Sequence, residues 1–327
     1  MAEQSGGSAA KAVSARDNLG ARLSYEDLRG WIAEAEKLGE RKVVTGASWE
    51  RDIGMAAEVV LHSENAPCVV FDEVPGCPKG HRVLINFFSG KRRNMTMGFP
   101  VDFTKLELTD AVHRHNAEIE PIPHEIVAHG PVFENIFEGD DIDVTQFPAP
   151  LWNPDDGGRY IGTGSFNVTR DPDEDWINVG TYRVMVHDKN TVAIWMSPGK
   201  HGRMISEKYF AKGEPCPVLI SCGQDPLLFI AAHQEIDPGV DEFAYAGGQR
   251  GRAIEVIPSE LHGLPIPARA EIVLEGEILP DETREEGPFG EFMGYYASNA
   301  TMLPIVRIRR VYWRNDPILT LAIPSRP

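Results

Sequence analysis

The sequence has little that would carry the chain across a membrane or attach it to nucleic acid. Its 327 residues include no run near the roughly 18 to 20 apolar residues that span a bilayer. Residues 1–22 are rich in Ser, Gly and Ala but lack an apolar core, so we interpret them as a disordered tail rather than a secretory signal. Basic residues are outnumbered, 32 Lys and Arg against 49 Asp and Glu. The formal net charge of −17 argues against a nucleic acid or an anionic membrane as partner.

Cysteine is scarce, and several common catalytic signatures are missing. The four cysteines form no Cys-x-x-Cys pair, so the sequence predicts neither a zinc site nor a disulfide framework, and it fits a reducing cytoplasm. No Gly-x-Gly-x-x-Gly follows a strand pattern, and the Walker, His-Glu-x-x-His and Gly-x-Ser-x-Gly sequences are absent. These absences argue against a Rossmann dinucleotide site, a P-loop nucleotidase, a zinc protease of that type and an α/β-hydrolase.

Hydrophobic periodicity divides the chain into two regions, as its length favours. Residues 23–118 alternate helix and strand patterns and are interpreted as an N-terminal α/β domain. Its basic run Lys91-Arg92-Arg93 is interpreted as a solvated face, with an anion-contacting loop as the alternative. A proline-rich connector covers 119–158. From 159 to 327 strand patterns follow one another with few helices between them, which predicts a barrel or a closed curved sheet.

The stretch that most suggests chemistry is Glu286-Gly-Pro-Phe-Gly-Glu291, in which two glutamates flank a turn. Proline fixes its own φ, and glycine adopts backbone angles closed to other residues, so the stretch is predicted to be a shaped loop. Such a loop can raise the pKa of one acid by desolvation while the other acid stays ionised beside a cation. That is an arrangement for proton transfer. The alternative is a surface turn with two solvated glutamates.

Residues upstream of this loop offer a cation and donors for a metal. Arg183, near the start of a strand pattern, has a planar guanidinium that could hold Glu286 ionised through a bidentate pair. Asn178 offers an amide oxygen, His201 lies in a Gly-Pro loop after a strand, and Glu242 is expected in a loop after a helix. Singly, each also fits an ordinary polar residue. Together they are oxygen and imidazole donors without thiolate, which suits Mn²⁺ or Mg²⁺ better than structural zinc.

These residues, in this order, resemble the UbiD family. The resemblance rests on the Trp-x-Asn-x-x-x-x-Arg pattern at 176–183, on Lys200-His201, on Glu242 and above all on the hexapeptide 286–291. UbiD proteins are decarboxylases that depend on prenylated FMN. The resemblance therefore implies an α+β fold, with an N-terminal α/β region followed by a split β-barrel of flavin-reductase type that binds the cofactor. Family members usually continue further, so their C-terminal α/β domain, which is used in oligomerisation, is expected to be absent from this chain.

The resemblance also implies roles for individual residues. Arg183, Glu286 and Glu291 match the family's catalytic Glu-Arg-Glu network, with Glu291 as proton donor and Glu286 as the partner that fixes Arg183. The family's ligands for a divalent metal, Mn²⁺ or Mg²⁺, match three residues: Asn178, His201 and Glu242. K⁺ is a further ion that the resemblance allows. The expected cofactor contacts are Asn178, Val179, Gly180, Thr181, Tyr182, Arg183, Lys200, His201 and Glu242.

The function that the resemblance implies is reversible, non-oxidative decarboxylation of an aromatic, heteroaromatic or α,β-unsaturated carboxylic acid. A flavin prenyltransferase would supply the cofactor, and the full-length protein would be a cytoplasmic homo-oligomer without a nucleic acid or membrane partner. Two alternatives stay open. One is an FMN-dependent oxidoreductase on the same barrel, although hydride transfer to flavin needs no such pair of carboxylates. The other is a catalytically silent flavin-binding subunit, which fits if the short length is native.

Overall fold

The computed structural model describes residues 23–234 and 236–324. The tail expected at 1–22 lies outside these residues. Within them, no helix has the length and apolar character needed to cross a membrane. The helices and strands form a mixed α+β fold, which confirms the fold class predicted from the sequence.

An N-terminal α/β region comes first. Its elements in chain order are α1 (Leu28–Lys37), β1 (Arg41–Thr45), α2 (Asp52–Leu61), β2 (Cys68–Asp72), β3 (Arg82–Ile85), α3 (Gly90–Thr96) and α4 (Lys105–Glu118). Polar side chains explain where α1 and α4 begin. Asp27 caps α1 by accepting a hydrogen bond from Gly30 N at 2.8 Å, and Thr104 and Glu107 form a reciprocal capping box at α4.

The sheet of this region includes a strand from the other end of the chain, β16 (Ile318–Thr320). Its strand order is β1-β2-β3-β16. β16 runs parallel to β3, with Leu319 opposite Val83, while β2 and β3 are antiparallel. The last apolar run of the sequence is therefore a buried strand, and it ties the end of the described chain to its N-terminal region.

A large antiparallel sheet dominates the second region. Its strands are β5 (Asn135–Glu138), β6 (Arg159–Gly162), β7 (Phe166–Arg170), β8 (Ile177–Gly180), β9 (Arg183–Asp188), β10 (Thr191–Trp195), β11 (Cys216–Gly223), β14 (Ile272–Glu286) and β15 (Thr301–Trp313). They follow the order β6-β9-β10-β15-β14-β11-β7-β8, and β5 pairs with β15. The sheet curls, because β6 at one edge also contacts β11 near the other edge. This curled sheet is the barrel that the sequence predicts.

Helices and a small third sheet pack around the curled sheet. The remaining elements are β4 (Glu125–Ile126), α5 (His201–Ala211), α6 (Pro226–His233), α7 (Glu242–Arg250), β12 (Glu255–Pro258) and β13 (Pro265–Pro267). The third sheet has the order β13-β12-β4. One apolar core extends from Ile53 and Phe71 in the N-terminal region to Val184 and Val306 in the curled sheet. The two regions are therefore packed on a common core.

The sequence-based expectation of a loop at Glu242 is wrong. Glu242 is the first residue of α7, which Asp241 caps by accepting a backbone hydrogen bond at 2.8 Å and which ends at Gly251 with a φ of 75°. The sequence pattern did not indicate this helix, because it contains glycines and follows a Pro-Gly pair. Glycine and proline are typical of loops. Close packing explains one glycine inside the helix: a Cβ on Gly247 would lie 2.5 Å from the carbonyl oxygen of Ile122.

The basic run 91–93 is not a solvated face at its centre. The Arg92 side chain is fully buried, donates to Ala66 O at 2.8 Å and forms an ion pair with Glu40. Consecutive residues of a helix point in different directions, so a run of three cations does not form one face. A buried guanidinium persists only when it is paired, and Arg92 therefore joins α3 to the segments that precede it.

A buried charge network joins α1 to the curled sheet. Glu271 is fully buried; it accepts two hydrogen bonds from Arg29, both at 2.9 Å, and a third from Arg314 at 3.3 Å. We predict that Glu271→Gln lowers the free energy of unfolding by about 3 kcal/mol, because it leaves arginine charge without its partner. In the same denaturant titration, Glu207→Gln breaks the exposed pair with Arg203 and should cost less than about 0.5 kcal/mol. Equal losses in the two variants would show that the buried network has no special role.

Candidate active site

One cavity collects nearly all of the residues that the sequence assigns to cofactor binding. Its volume of about 570 Å³ lies within the range of small-ligand sites. The expected contacts that line it are Asn178, Val179, Gly180, Thr181, Tyr182, Lys200, His201 and Glu242. They come from β8, from the turn after it and from the first residues of α5 and α7 with the loop before α5. Arg183 begins the next strand, directly after Tyr182, and lies outside this lining.

The expected metal donors reach this cavity from three elements. Asn178 lies within β8, and His201 and Glu242 are the first residues of α5 and α7. The Asn178 amide nitrogen donates to Thr169 Oγ1 at 3.3 Å, so its amide oxygen is left as an acceptor. The Glu242 carboxyl accepts a hydrogen bond from Val179 N at 2.8 Å, and burial raises its pKa to about 8.

This donor set fits a hard divalent cation. It offers two oxygens and an imidazole without a thiolate, which is the chemistry that Mn²⁺ and Mg²⁺ accept. Asn178 and Glu242 are only 2% and 5% exposed, and a buried carboxyl with backbone donors alone gains from a cation beside it. Among the described residues, no cluster of three His, Cys, Asp or Glu side chains is placed to hold a metal. The set of Asn178, His201 and Glu242 has only two residues of these types, and its third donor is the Asn178 amide.

Two glycines let the Tyr182 side chain pack against the backbone of the cavity wall. A Cβ on Gly180 would lie 2.4 Å from the Tyr182 hydroxyl oxygen, and a Cβ on Gly202 would lie 2.7 Å from the ring. Gly202 N donates to the hydroxyl at 3.1 Å. Burial raises the pKa of Tyr182, so the phenol stays protonated. The wall between β8 and α5 is therefore a fixed, uncharged surface.

The bidentate pair that the sequence suggested between Arg183 and Glu286 is present. Arg183 Nε and Nη2 donate to the two carboxylate oxygens of Glu286 at 2.8 and 2.9 Å, and the Tyr160 hydroxyl donates to Oε1 at 2.9 Å. Glu286 is 1% exposed, and the guanidinium carbon lies 4.9 and 5.1 Å from the ring centroids of Trp195 and Phe289. Burial acts to lower the pKa of Arg183, but the bonds to Glu286 raise it, so the guanidinium stays charged.

Glu291 is not part of this pair, and it lines a second cavity of about 380 Å³. Within the described residues its carboxylate makes no hydrogen bond, although its negative charge reaches Arg183. Phe289 is buried, whereas Phe292 and Tyr295 are 52% and 57% exposed. Of these three aromatic side chains close to Glu291 in the sequence, only Phe289 is therefore part of the core.

Sequence analysis missed three polar residues: Tyr160 at the Arg183–Glu286 pair, His233 at the first cavity, and Asp156 at the 286–291 loop. Tyr160 holds the Arg183 pair from β6, and the Thr181 hydroxyl lies 3.1 Å from the His233 ring at the end of α6. His233 ends an apolar helix, so no local pattern marks it. Asp156 is a buried aspartate that accepts a hydrogen bond from the backbone of the 286–291 loop. The signal that was available for Asp156 is the Asn-Pro-Asp-Asp-Gly-Gly turn, whose composition is typical of a rigid loop.

Comparison with known proteins gives consistent relatives. A family model described as "UbiD: 3-octaprenyl-4-hydroxybenzoate carboxy-lyase Rift-related domain" matches residues 125–327. The pyrrole-2-carboxylic acid decarboxylase of Pseudomonas aeruginosa is 38% identical over 66% of this chain and 44% of its own length. The phenolic acid decarboxylase of Streptomyces sp. strain D7 is 32% identical over 90% of this chain and 63% of its own length. The chain thus spans about half to two thirds of these relatives.

Two solved structures have the same fold, one named a vanillic acid decarboxylase and the other a UbiD-class enzyme. The vanillic acid decarboxylase of Sedimentibacter hydroxybenzoicus, in its closed form, superposes with a TM-score of 0.85 at 30% identity, over 93% of this chain and 65% of that one. The UbiD-class enzyme HmfF from Pelotomaculum thermopropionicum, in complex with FMN, superposes with a TM-score of 0.81 at 28% identity, over 92% of this chain and 65% of that one.

The fold and these relatives define the class first: the chain has the α+β architecture of carboxy-lyases that act on carboxylic acids. The family follows from the model match, which covers more than half of the chain. The chain belongs to the UbiD family.

Proposed function

We propose that the protein is a decarboxylase that uses prenylated FMN and a divalent metal, that its substrate is an aromatic, heteroaromatic or α,β-unsaturated carboxylic acid, and that its reaction is reversible. One observation carries the proposal. Arg183, whose guanidinium is held by the buried Glu286 carboxylate, directly follows Tyr182 in the sequence, and Tyr182 lines the 570 Å³ cavity. The charged guanidinium therefore belongs to the residue next to the lining of a cavity large enough for a cofactor.

The names of the relatives support the substrate class. Two are named for pyrrole-2-carboxylic acid and for phenolic acid, and a solved neighbour is named for vanillic acid. Each of these acids carries an aromatic or heteroaromatic ring. The titles of two HmfF structures name FMN and prenylated FMN as the bound groups. We therefore propose aromatic and heteroaromatic acids as the first substrates to test.

The cavity offers a place for each part of the proposed cofactor and its metal. Asn178, His201 and Glu242 would hold Mn²⁺ or Mg²⁺ next to the cofactor phosphate, with K⁺ as a second ion. The positive charge of Lys200 would balance the same phosphate. The strand and turn at 178–182 would contact the ring system. The fit rests on the donor chemistry and on the buried carboxyl of Glu242, whose hydrogen bonds come from the backbone.

The chemistry divides between the cofactor and the chain. Loss of CO₂ leaves a carbanion-like centre, and prenylated FMN supplies, when bound, the electron sink that no side chain offers. Arg183, held by Glu286 and flanked by the rings of Trp195 and Phe289, would bind and orient the substrate carboxylate. Glu291, whose side chain makes no hydrogen bond among the described residues, would in its protonated form give the proton that replaces the departing CO₂ on the substrate carbon, and would be left as a carboxylate.

Further proposals concern organisation and supply. We propose residues 23–118 and 159–327 as the two domains, with 119–158 between them, although β16 pairs with the N-terminal sheet. The four cysteines are free, which fits a reducing compartment such as the cytoplasm. A flavin prenyltransferase would supply the cofactor, and the full-length protein would be a homo-oligomer.

A decarboxylation assay tests the proposal against its rivals. Protein co-expressed with a flavin prenyltransferase should release CO₂ from pyrrole-2-carboxylate or a phenolic acid, and protein loaded with FMN alone should not. Reduction of FMN by a nicotinamide nucleotide without decarboxylation would favour the oxidoreductase. Flavin binding without either activity would favour the silent subunit.

Loss of one metal donor provides a separate test. We predict that Glu242→Gln lowers the affinity for Mn²⁺ by about 100-fold or more, because changes even to outer partners of metal ligands cost about 10- to 100-fold. Isothermal titration with MnCl₂ measures this affinity. Glu214→Gln, at an exposed glutamate, should bind Mn²⁺ as the wild type does. Wild-type affinity in Glu242→Gln would contradict the proposed ligand set.

A further inference from the structure

Glu291 reaches its place without a side-chain partner. Among the described residues its carboxylate makes no hydrogen bond, and its backbone bonds stay within its own turn. Glu291 N donates to Tyr295 O at 3.0 Å, and Glu291 O accepts from Gly294 N at 2.8 Å. The distance between this carboxylate and Arg183 is therefore set by whatever anchors the turn to the rest of the protein.

The anchor is a second turn, which lies far away in the sequence. Asp156 Oδ1 accepts a hydrogen bond from Gly290 N at 3.0 Å, and Asp156 Oδ2 accepts one from Asn153 N at 3.0 Å. One carboxylate thus joins two turns that are 134 residues apart. Beside it, Gly157 N donates to Pro288 O at 2.8 Å. Asp156 is 9% exposed, so these bonds are shielded from competing water.

The two turns also fit closely in space. A Cβ on Gly157 would lie 1.9 Å from the carbonyl oxygen of Gly287, so only a glycine allows the backbones to approach this far. The next residue, Gly158, has more room, since its Cβ would lie 3.2 Å from the sulfur of the flexible Met185 side chain. The close approach is therefore specific to the position that faces the catalytic turn.

Tyr296 lies at the far end of the turn, near the Asp156 carboxylate. Burial and then the negative charge of Asp156 raise the pKa of Tyr296 to about 12, so the phenol stays protonated beside the carboxylate. The Phe289 ring lies 4.3 Å from the Tyr160 ring, centroid to centroid, and adds an apolar contact on the other side. The turn is held at its start by Gly157 and at its middle by Asp156.

We propose that Asp156 is a positioning residue of the active site: it holds the turn 287–296, and with it the Glu291 carboxylate, in register with Arg183. The inference rests on the proposed role of Glu291 as proton donor and adds a residue outside the Arg183–Glu286–Glu291 set. A misplacement of about 1 Å at a reacting group can cost about 100-fold in rate. Loss of the anchor should therefore reduce turnover while the cofactor cavity, built from other elements, stays intact.

Two variants disturb the anchor by different routes, and each has a matched control. Asp156→Asn removes the shared charge, while Gly157→Ala pushes the turns apart. We expect both to lower kcat by about 10- to 100-fold, with KM and cofactor affinity within about twofold of wild type. Asp143→Asn removes an aspartate whose backbone hydrogen bond lies within its own turn, and Gly158→Ala adds a methyl group 3.2 Å from the sulfur of the flexible Met185 side chain, which can shift to accommodate it. Both controls should stay within about twofold of wild-type kcat.

Hydrogen exchange in the cofactor-free protein gives a readout that does not depend on activity. Peptides covering 287–296 should lose protection in Asp156→Asn, while peptides covering β8 and β11 should not. Wild-type kcat and wild-type exchange in Asp156→Asn would overturn the proposal. A loss of protection throughout the protein, accompanied by a loss of cofactor binding, would also overturn it. If the wild-type protein has no decarboxylase activity, the proposed function fails, and the exchange of 287–296 alone decides whether Asp156 is the anchor.

Discussion

Glu291→Gln is expected to abolish product formation and the exchange of the substrate proton with solvent, while the cofactor still binds. The substitution keeps the size of the side chain and removes the acidic proton, and general acid–base catalysis is worth about 100- to 10,000-fold. Glu291 lines a cavity other than the one that holds the expected cofactor contacts, so binding should be unaffected. Turnover and deuterium incorporation into the product in D₂O measure the two losses.

The matched control for this variant is Glu285→Gln. Glu285 is an exposed glutamate at the end of β14, next to Glu286 but outside the lining of both cavities, and its loss should leave turnover within about twofold of wild type. Unchanged turnover in Glu291→Gln would remove Glu291 from the mechanism. A loss of cofactor binding in that variant would instead make it a structural residue.

Glu286→Gln is expected to reduce both stability and activity. Glu286 is 1% exposed and receives three hydrogen bonds, two from Arg183 and one from Tyr160. Removing its charge leaves a largely buried guanidinium unpaired, which should cost about 3 to 5 kcal/mol in the free energy of unfolding. The guanidinium would also lose the orientation that it needs to bind a substrate carboxylate, so we expect a fall in kcat/KM of about 100-fold.

A double variant separates the two effects. Arg183→Met combined with Glu286→Leu removes both charges and keeps much of the apolar volume, so it should regain most of the stability lost in Glu286→Gln. It should not regain activity, because the proposed carboxylate binder is gone. Chemical denaturation and steady-state kinetics on the same preparations measure both quantities. Recovery of activity together with stability would show that the pair has a structural role alone.

The sequence was a good guide to what is local. Alternating apolar residues identified most strands of the curled sheet, and the order of Asn178, Arg183, His201 and Glu242 brought out residues that the structure places around one cavity or beside it. The Arg183–Glu286 pair could be suggested because two complementary charges need each other in a core. No distance could be derived for it, since 103 residues separate the partners.

The sequence was a poor guide to what depends on packing between distant segments. Arg92 looked like part of a charged face, and only the fold shows that its neighbours Glu40 and Ala66 enclose it. Nothing in the sequence of β16 indicates that its partner is β3, more than 230 residues earlier in the chain. The turn composition around Asp156 indicates a rigid loop but not its partner, because that partner is the backbone amide of the distant Gly290. Such residues are found by their contacts and not by periodicity.

The central claim is that this UbiD-family chain binds prenylated FMN in the cavity lined by Asn178, His201 and Glu242. The measurement that tests it most directly is the mass of the flavin released from protein co-expressed with a flavin prenyltransferase. We predict prenylated FMN at close to one per chain in the wild type, and much less in Glu242→Gln. A wild-type protein that carries no flavin under these conditions, or that carries only unmodified FMN, would contradict the claim.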